Sequence, residues 1–511
     1  MGIPSFYRHL CRRFPKLITN GSGGASEWLC LDFNCAMYHV LRQAPTFPSE
    51  PEEKAHWEAD LCKAIATYMS ELVVLAAPTK GVYVSCDGVV CAAKRRQQRL
   101  RRFKGPWAAA AEAVVTGKTM TTPGWDQNAL TPGSAFMAAL GDCLTAAGAR
   151  LQAKIGVPVI VSTTAEAGEG EHKLMAHMRT VKPASCTIYG LDADLILLAM
   201  LLGSEIGANV RLLREAQEFE GSSTGWRSLD VSALASVMIP SCNPQRIHDF
   251  VASMSLLGND FLPKSLTHTV RDDGIPQLIA TLERSVWARG LRIVADNGAL
   301  SRAGMIVLLE SWAAVEERDL VVAAQAAQQA ARRGGGGGDS PEEMALREWN
   351  AQPARWATVT TILGDGALCP DWRAVYAGWH PGSPSNYLRG MAWVWDYYSG
   401  RPVDQAWFFD EHLPPLFSDV AQHLRAETTE SVPPPAMEFA DPLPAWVHLL
   451  SVLPAASVER LLPRERLPLM AKHAYYWPSS WSVFDVGKTQ LWECEPIIPV
   501  IPEKLLRSWG P

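Results

Sequence analysis

The sequence lacks several features that would place it in a common class of protein. None of its eleven cysteines forms a Cys-x-x-Cys pair, which argues against a zinc module, and the odd count argues against a disulfide framework. No uninterrupted apolar run is long enough to span a membrane, and the N-terminus has no signal-peptide architecture. The glycine run at 334–338 is not followed by the Lys-Ser/Thr of a nucleotide-binding loop. We therefore expect a soluble cytoplasmic protein, with the nucleus as the alternative location.

An excess of positive charge is also missing. The chain has 47 Lys and Arg residues against 53 Asp and Glu residues, a net charge of −6, which disfavours a general basic RNA binder. Any contact with nucleic acid must come from a local basic patch. The length of 511 residues predicts about two to four domains, and the hydrophobic content of 48% allows a large core.

The first half of the chain alternates between strand and helix patterns. The predicted strands are 28–33, 82–86, 157–161 and one at 188. The predicted helices are 52–77, one from 94, 134–148 and one from 171. This alternation predicts a mostly parallel α/β sheet flanked by helices, in which ligands collect at the carboxyl ends of the strands.

The apolar run 188–200 has strand or buried-helix character and contains Asp192 and Asp194. On a strand, residues two apart point to the same face. Two neighbouring buried carboxylates repel each other and lose hydration, and a bound cation relieves both costs. The alternative is a strand end at which both carboxylates reach water.

Further carboxylates fall at the ends of other predicted elements. Asp32 and Asp87 are near strand ends, Glu169 and Glu171 belong to an acidic turn before a helix, and Asp260 follows a helical segment. Alone, the acidic turn is equally well explained as a helix N-terminus on the surface. Together the seven carboxylates predict a two-metal site for phosphoryl chemistry, and all-oxygen ligation suits Mg²⁺ or Mn²⁺.

A basic segment at 94–104 has seven Lys or Arg residues in eleven positions. Helical spacing places Lys94, Gln98, Arg101 and Arg102 on one face and Arg95, Arg96 and Arg99 elsewhere. A solvated basic helix or a nuclear-import patch is the usual explanation of such a run. The segment begins seven residues after Asp87, so we expect it to lie beside the metals and to bind a phosphate group.

The best internal boundary follows an Ala-rich helical pattern at 303–332, where a glycine-rich linker begins. We therefore predict a catalytic region at 1–300, the helical segment with its linker at 301–345, and a second, Trp- and Pro-rich region at 346–511.

These motifs resemble those of the Xrn-type 5′→3′ exoribonuclease family. The stretches that carry the resemblance are MGIPSFYRHL at the N-terminus, LDFN (31–34), CDG (86–88), TPGSAFM (131–137), GEGEHK (168–173), YGLDADL (189–195), LLGNDFLP (256–263), NYLRGMAWVWDYYSG (386–400), AWFFDEHLPP (406–415), LLSVLPAAS (449–457) and the segment KTQLWECEPIIPVIPEKLL. They follow the order of the family and cover nearly the whole chain.

The resemblance implies a PIN-like, flap-nuclease-related catalytic region and a second, mainly helical region packed around the active site. It implies two Mg²⁺ ions, with Mn²⁺ as the alternative, held by the seven catalytic carboxylates Asp32, Asp87, Glu169, Glu171, Asp192, Asp194 and Asp260. It further implies a 5′-phosphate pocket of Lys94, Gln98, Arg101 and Arg102, and base stacking on Tyr38 and Trp407. The implied activity is processive hydrolysis of single-stranded RNA with a 5′-monophosphate, in RNA decay or processing.

Some positions depart from the family pattern. Tyr38 stands where the family has a stacking histidine, with His39 next to it, and Lys264 replaces a histidine. Ala167 replaces a proline, and Ser5 replaces a basic residue. None removes a metal ligand. We expect the catalytic core alone, without further C-terminal domains; the rival hypotheses are a flap-type nuclease and a catalytically silent RNA-binding scaffold.

Overall fold

A computed structural model describes residues 6–117, 124–216, 225–333, 340–356 and 358–510. The predicted departure at Ser5 and the glycine run 334–338 of the predicted linker lie outside these residues. The strands are β1 (Ile18–Asn20), β2 (Trp28–Asp32), β3 (Gly81–Ser85), β4 (Val159–Ser162), β5 (Ser185–Tyr189), β6 (Asn209–Glu215), β7 (Trp226–Asp230), β8 (Leu300–Ser301), β9 (Leu363–Gly364), β10 (Ala367–Leu368), β11 (Ser431–Val432), β12 (Ser482–Phe484) and β13 (Glu495–Ile497).

The helices fall into two sets, before and after the end of the Ala-rich pattern. The first set is α1 (Phe6–Arg13), α2 (Asn34–Gln43), α3 (Pro51–Ala76), α4 (Ala92–Val115), α5 (Ala135–Ile155), α6 (Gly170–Val181), α7 (Leu195–Ile206), α8 (Val231–Met238), α9 (Pro244–Ser253), α10 (Gly274–Thr281) and α11 (Arg302–Arg333). The second set is α12 (Pro341–Asn350), α13 (Gln352–Trp356), α14 (Trp372–Gly378), α15 (Pro384–Tyr398), α16 (Phe417–Ala426), α17 (Ala445–Val452), α18 (Ala455–Leu461), α19 (Leu467–Lys472) and α20 (Glu503–Trp509).

The main sheet has seven strands in the order β1-β7-β6-β5-β2-β3-β4. The five strands from β6 to β4 are parallel, whereas β7 runs antiparallel to β6 and β1 antiparallel to β7. This arrangement confirms the predicted α/β class with a mostly parallel sheet. Strand β2 lies between β5 and β3, so the residues that follow these three strands emerge side by side.

Helices cover both faces of the sheet because successive side chains of a strand point to opposite faces. In β2, Trp28 and Cys30 belong to a core shared with α1, α6 and α7. Leu29 and Leu31 belong to a second core, shared with α2, α3 and α5. A strand that is buried on both faces shows no polar alternation, which is why the sequence of β2 is a continuous apolar run.

The run 188–200 is not one element. Strand β5 ends at Tyr189, and helix α7 begins at Leu195, so the prediction that a strand carries both aspartates on one face is wrong. Asp192 lies in the connection and Asp194 occupies the N-cap position of α7. The physical reason is that residues 195–202 are buried all round, and an apolar run of this kind has no period that separates strand from helix.

The second region packs directly against the first. Tyr387, Met391 and Trp393 of α15 belong to the same core as α6 and α7. All eleven cysteines lie within the described residues, and none of them forms a disulfide bond. Among the helices of the described ranges, none combines the length and apolarity needed to cross a lipid bilayer.

Candidate active site

Four of the predicted carboxylates follow the three adjacent strands at the centre of the sheet. Asp32 is the last residue of β2, and Asp87 comes two residues after β3. Asp192 and Asp194 follow β5. Because the carboxyl ends of parallel strands lie at one edge, the topology alone brings these four side chains to the same edge of the sheet.

The start of α6 brings Glu169, at the N-cap position, and Glu171, in the first turn, to the same edge. The N–H of Gly170, the residue between them, donates to Asp87 Oδ1 at 2.7 Å. A Cβ atom at Gly170 would lie 2.8 Å from Asp32 Oδ1 and 3.4 Å from Asp87 Oδ1. The backbone of Gly170 therefore lies directly against both aspartates. A side chain would be too close to Asp32 here, so glycine allows the approach that keeps Glu169 and Glu171 near the two aspartates.

Lys94, at the start of α4, lies inside the carboxylate cluster. Its buried ammonium is 2.6 Å from Glu169 Oε2 and 3.0 Å from Asp260 Oδ2. Burial opposes its charge, but these carboxylates raise the pKa of Lys94 well above its usual range. Lys94, predicted to bind a phosphate, therefore compensates two of the acids in this structure, and it ties Asp260 to the rest of the cluster.

The cluster holds more negative charge than one lysine can balance. Burial and the neighbouring charges of Asp87 and Asp192 raise the pKa of Asp32 well above its usual range. Burial, with Asp192 and Asp260 nearby, raises the pKa of Asp194 to about 7.

The same causes act on Glu171. Burial and the charges of Asp194 and Glu169 raise its pKa well above the ordinary value. These mutual interactions connect all seven carboxylates, which the structure thus brings together, and either a bound cation or proton uptake relieves the repulsion among them.

The donor atoms fit a divalent cation. Asp194 is 1% exposed, and its Oδ1 has no hydrogen-bond partner within the described residues. A buried carboxylate oxygen without a donor is costly unless it binds a metal. Ligand atoms of Glu169, Glu171 and His172 lie within 4.8 Å of one another, and burial lowers the pKa of His172 to about 3, so its ring is neutral. Carboxylate oxygens in this number suit Mg²⁺ or Mn²⁺.

The face of α4 that carries Gln98, Arg101 and Arg102 lies near the carboxylates. Gln98 is buried and its Oε1 accepts from Arg102 Nη1 at 3.2 Å. Arg101 is exposed, and its positive charge is close enough to Asp192 to help lower the pKa of that carboxyl group. Burial lowers the pKa of Arg102 to about 10, which leaves it charged at neutral pH.

The other face of α4 anchors the second region. Arg95 pairs with Glu503, and Arg96 donates to the carbonyl of Asp410. Arg99 Nη1 donates to the Ser451 carbonyl at 2.5 Å. Since Arg95 and Arg99 are buried, the alternative of a wholly solvated basic helix is wrong.

The two predicted stacking residues are half-buried. Tyr38, on α2, is a near neighbour of Arg102. Trp407 has its ring 5.1 Å from that of Trp393, and its Nε1 donates to Asn386 Oδ1 at 3.4 Å. His39 stacks on the ring of Tyr68 at 4.9 Å, so it does not take the place of Tyr38.

Several residues that support the cluster were missed in the sequence. Tyr397 donates to Glu169 Oε1 at 2.6 Å, and Asn34 Oδ1 accepts from the N–H of Asp87 at 3.1 Å. Asn259 Oδ1 accepts from the N–H groups of two following residues and shapes the turn that carries Asp260. The two asparagines lie inside recognised motifs and could have been chosen for their side-chain acceptors. Tyr397 also lies inside a recognised motif, but it is more than 200 residues from Glu169 in sequence, and nothing in its own stretch connects it with that carboxylate.

Comparison with known proteins found similarity to 5'-3' exonucleases. Residues 1–216 match the family described as XRN 5'-3' exonuclease N-terminus. The 5'-3' exoribonuclease 1 of Homo sapiens is 25% identical, with 99% of this chain and 34% of that protein covered. The 5'-3' exoribonuclease 2 of Yarrowia lipolytica is 29% identical, with 63% of this chain and 39% of that protein covered. The chain thus spans little more than a third of the length of these relatives.

Among solved structures, the catalytic core of Rad2 in complex with DNA substrate overlaps 83% of this chain and 93% of that chain. The sequence identity is 11% and the TM-score 0.34. The family match and the curated relatives agree with the motif order, and this chain is similar to the Xrn-type 5′→3′ exoribonucleases.

Proposed function

We propose that the chain is a processive 5′→3′ exoribonuclease that hydrolyses single-stranded RNA with a 5′-monophosphate and releases 5′-mononucleotides. The observation that carries this proposal is a cluster of seven buried or half-buried carboxylates next to the face of α4 that bears Arg101 and Arg102. A metal-binding edge beside a basic face is what hydrolysis close to a phosphorylated end requires.

In this proposal the seven carboxylates hold two divalent ions, either Mg²⁺ or Mn²⁺. When bound, the ions supply an activated water and stabilise the leaving oxygen of the scissile phosphodiester. Gly170 keeps Glu169 and Glu171 against Asp32 and Asp87, so the ligand positions are set before substrate arrives. Lys94 neutralises part of the cluster from the side of Asp260.

The terminal phosphate of the RNA would lie against Gln98, Arg101 and Arg102. Two guanidinium groups one position apart on α4 offer several N–H donors to phosphate oxygens. Arg102 is already oriented by Gln98, and only Arg101 is exposed, so we expect Arg101 to make the adjustable contact. A larger end, such as a triphosphate or a cap, would be rejected by size.

Tyr38 and Trp407 would stack on the first bases. Stacking on an aromatic face tolerates any sequence, which suits an enzyme that degrades RNA one nucleotide after another. The replacement of the family histidine by Tyr38 keeps an aromatic ring at this position, with a hydroxyl near Arg102.

The test is the product and end-group profile on labelled single-stranded RNA. RNA with a 5′-phosphate should be converted to mononucleotides from its 5′ end, and RNA with a 5′-hydroxyl should be degraded far more slowly. The variant that combines Asp192→Asn with Asp194→Asn should bind RNA and degrade none of it. Equal rates on the two RNAs would refute the phosphate pocket, and oligonucleotide release from flapped DNA would favour a flap-type nuclease instead.

A further inference from the structure

Helix α15 of the second region ends at the carboxylate cluster. The hydroxyl of Tyr397, in its last turn, donates to Glu169 Oε1 at 2.6 Å. The other oxygen of Glu169 lies 2.6 Å from Lys94 Nζ. Each oxygen of this buried carboxylate therefore has its own donor, one from the first region and one from the second, and the two donors together fix the orientation of the carboxylate plane.

The ring of Tyr397 is held by aromatic side chains from both regions. It lies 3.8 Å from the ring of His172 and stacks on Trp393 at 4.9 Å, while Phe261 packs edge-on at 5.4 Å. Trp393 in turn lies against Trp407, the predicted stacking residue, at 5.1 Å. With its ring packed in this way, Tyr397 can present its hydroxyl at one place only.

Without the hydroxyl of Tyr397, Glu169 has a competing arrangement. The ammonium of Lys94 carries three donors and can attract both carboxylate oxygens, which would turn Glu169 toward Lys94 and Asp260. The hydroxyl of Tyr397 holds Oε1 back from that arrangement. A donor that orients a ligating carboxylate supports metal affinity, and its removal typically lowers that affinity about 10- to 100-fold.

We propose that Tyr397 is a positioning residue, which orients Glu169 for a divalent ion and makes metal binding depend on the second region. This inference rests on the proposed function, since Glu169 must be a ligand. It assigns the second region a direct part in the metal site, in addition to enclosing it.

The experiment is a Mn²⁺ titration of the full chain at neutral pH, followed by electron paramagnetic resonance. Tyr397→Phe removes the hydroxyl and keeps the ring contacts, and it should raise the Kd for Mn²⁺ about 10- to 100-fold. Excess Mn²⁺ should restore the RNA degradation rate of this variant, which a purely structural role would not predict. The matched control is Tyr387→Phe on the same helix, whose buried hydroxyl has no hydrogen-bond partner within the described residues.

A double-mutant cycle with Glu169→Gln completes the test. If Tyr397 acts through Glu169, adding Tyr397→Phe to Glu169→Gln should leave the Kd for Mn²⁺ unchanged, whereas independent effects would multiply. An unaltered Kd in Tyr397→Phe, with normal Mn²⁺ binding by the wild type, would overturn the inference and leave the proposed function standing. A wild-type chain that binds no Mn²⁺ would remove the metal site, and the inference with it.

Discussion

Asp194 shows the energetic character of the site at the scale of a single residue. It follows β5 and occupies the N-cap position of α7 without a side-chain capping hydrogen bond, and one of its carboxylate oxygens meets no donor within the described residues. The like charges around it are unfavourable for folding and favourable for binding a cation. The cluster thus destabilises the metal-free fold, and clusters of this kind are typical of active sites.

The repulsion within the cluster predicts that the stability of the metal-free protein depends on pH. Burial and the charges of Asp192 and Asp260 raise the pKa of Asp194 from 3.8 to about 7. Between these values the folded chain binds more protons than the unfolded chain, so stability falls as pH rises through this window. The Tm measured in a chelator should be lower at pH 8 than at pH 5.5, and Mg²⁺ should reduce the difference.

Asp194→Asn provides the control for this pH dependence. The variant cannot ionise at position 194, so its metal-free Tm should fall less between pH 5.5 and pH 8 than that of the wild type. A wild-type Tm that stays level or rises over this interval, or a slope that Asp194→Asn leaves unchanged, would contradict the electrostatic account of the cluster.

Helix α4 divides its basic residues between two roles at the scale of an element. Its start lies beside Asp260 and Glu169, Arg101 and Arg102 are offered to the proposed phosphate pocket, and Arg95, Arg96 and Arg99 bind the second region. Arg99 has the structural role, because it donates to main-chain carbonyls of Ser451 and Tyr476, and its guanidinium lies 4.5 Å from the ring of Phe103.

The division predicts different consequences for two arginines that are two positions apart. Arg99→Ala leaves two carbonyls without their donor, and it should lower the free energy of unfolding by about 3 kcal/mol. Arg101 is exposed, so Arg101→Ala should change the free energy of unfolding by no more than about 0.5 kcal/mol. Urea unfolding of both variants measures these changes.

The preference for 5′-phosphate RNA should be affected by Arg101→Ala, the variant that hardly changes stability, and not by Arg99→Ala. Arg101→Ala should lose most of the preference for 5′-phosphate over 5′-hydroxyl RNA, whereas Arg99→Ala, assayed where it is folded, should keep it. If Arg101→Ala retains the full preference, α4 does not form the phosphate pocket.

At the scale of the whole molecule, the sequence predicted the elements better than their junctions. The parallel sheet and the strand-end positions of Asp32 and Asp87 follow from apolar runs separated by helical patterns. The run 188–200 was misread in part because burial on all sides removes the period that distinguishes strand from helix. The boundaries proposed at 300 and 345 remain predictions, although one core contains side chains from both sides of them.

The sequence predicted the site residues that lie near one another in the chain or at strand ends. It did not predict the contacts that depend on long-range packing. The contact between Lys94 and the pair Glu169 and Asp260 depends on how α4 approaches the cluster, which no local pattern encodes. The same is true of Tyr397, whose role exists only because α15 packs against α6 and α7. Long-range packing is what sequence patterns leave out.

The overall charge of −6 also sets how RNA binding should respond to salt. Without a general positive field, affinity must come from a few local contacts, and each neutralised phosphate contributes a slope of about −0.7 on a double-logarithmic plot. For about three contacts we expect a slope near −2 for single-stranded RNA bound to the variant with Asp192→Asn and Asp194→Asn. Fluorescence anisotropy measures it, and a slope steeper than about −5 would indicate an extended basic surface.

The central claim is that the seven carboxylates bind two divalent ions beside the arginine face of α4. Crystals of the full chain soaked in Mn²⁺ and measured at its absorption edge test this claim most directly. The account predicts two anomalous peaks about 4 Å apart, within coordination distance of the carboxylates. A single peak, or peaks away from Asp32, Glu171 and Asp194, would contradict it.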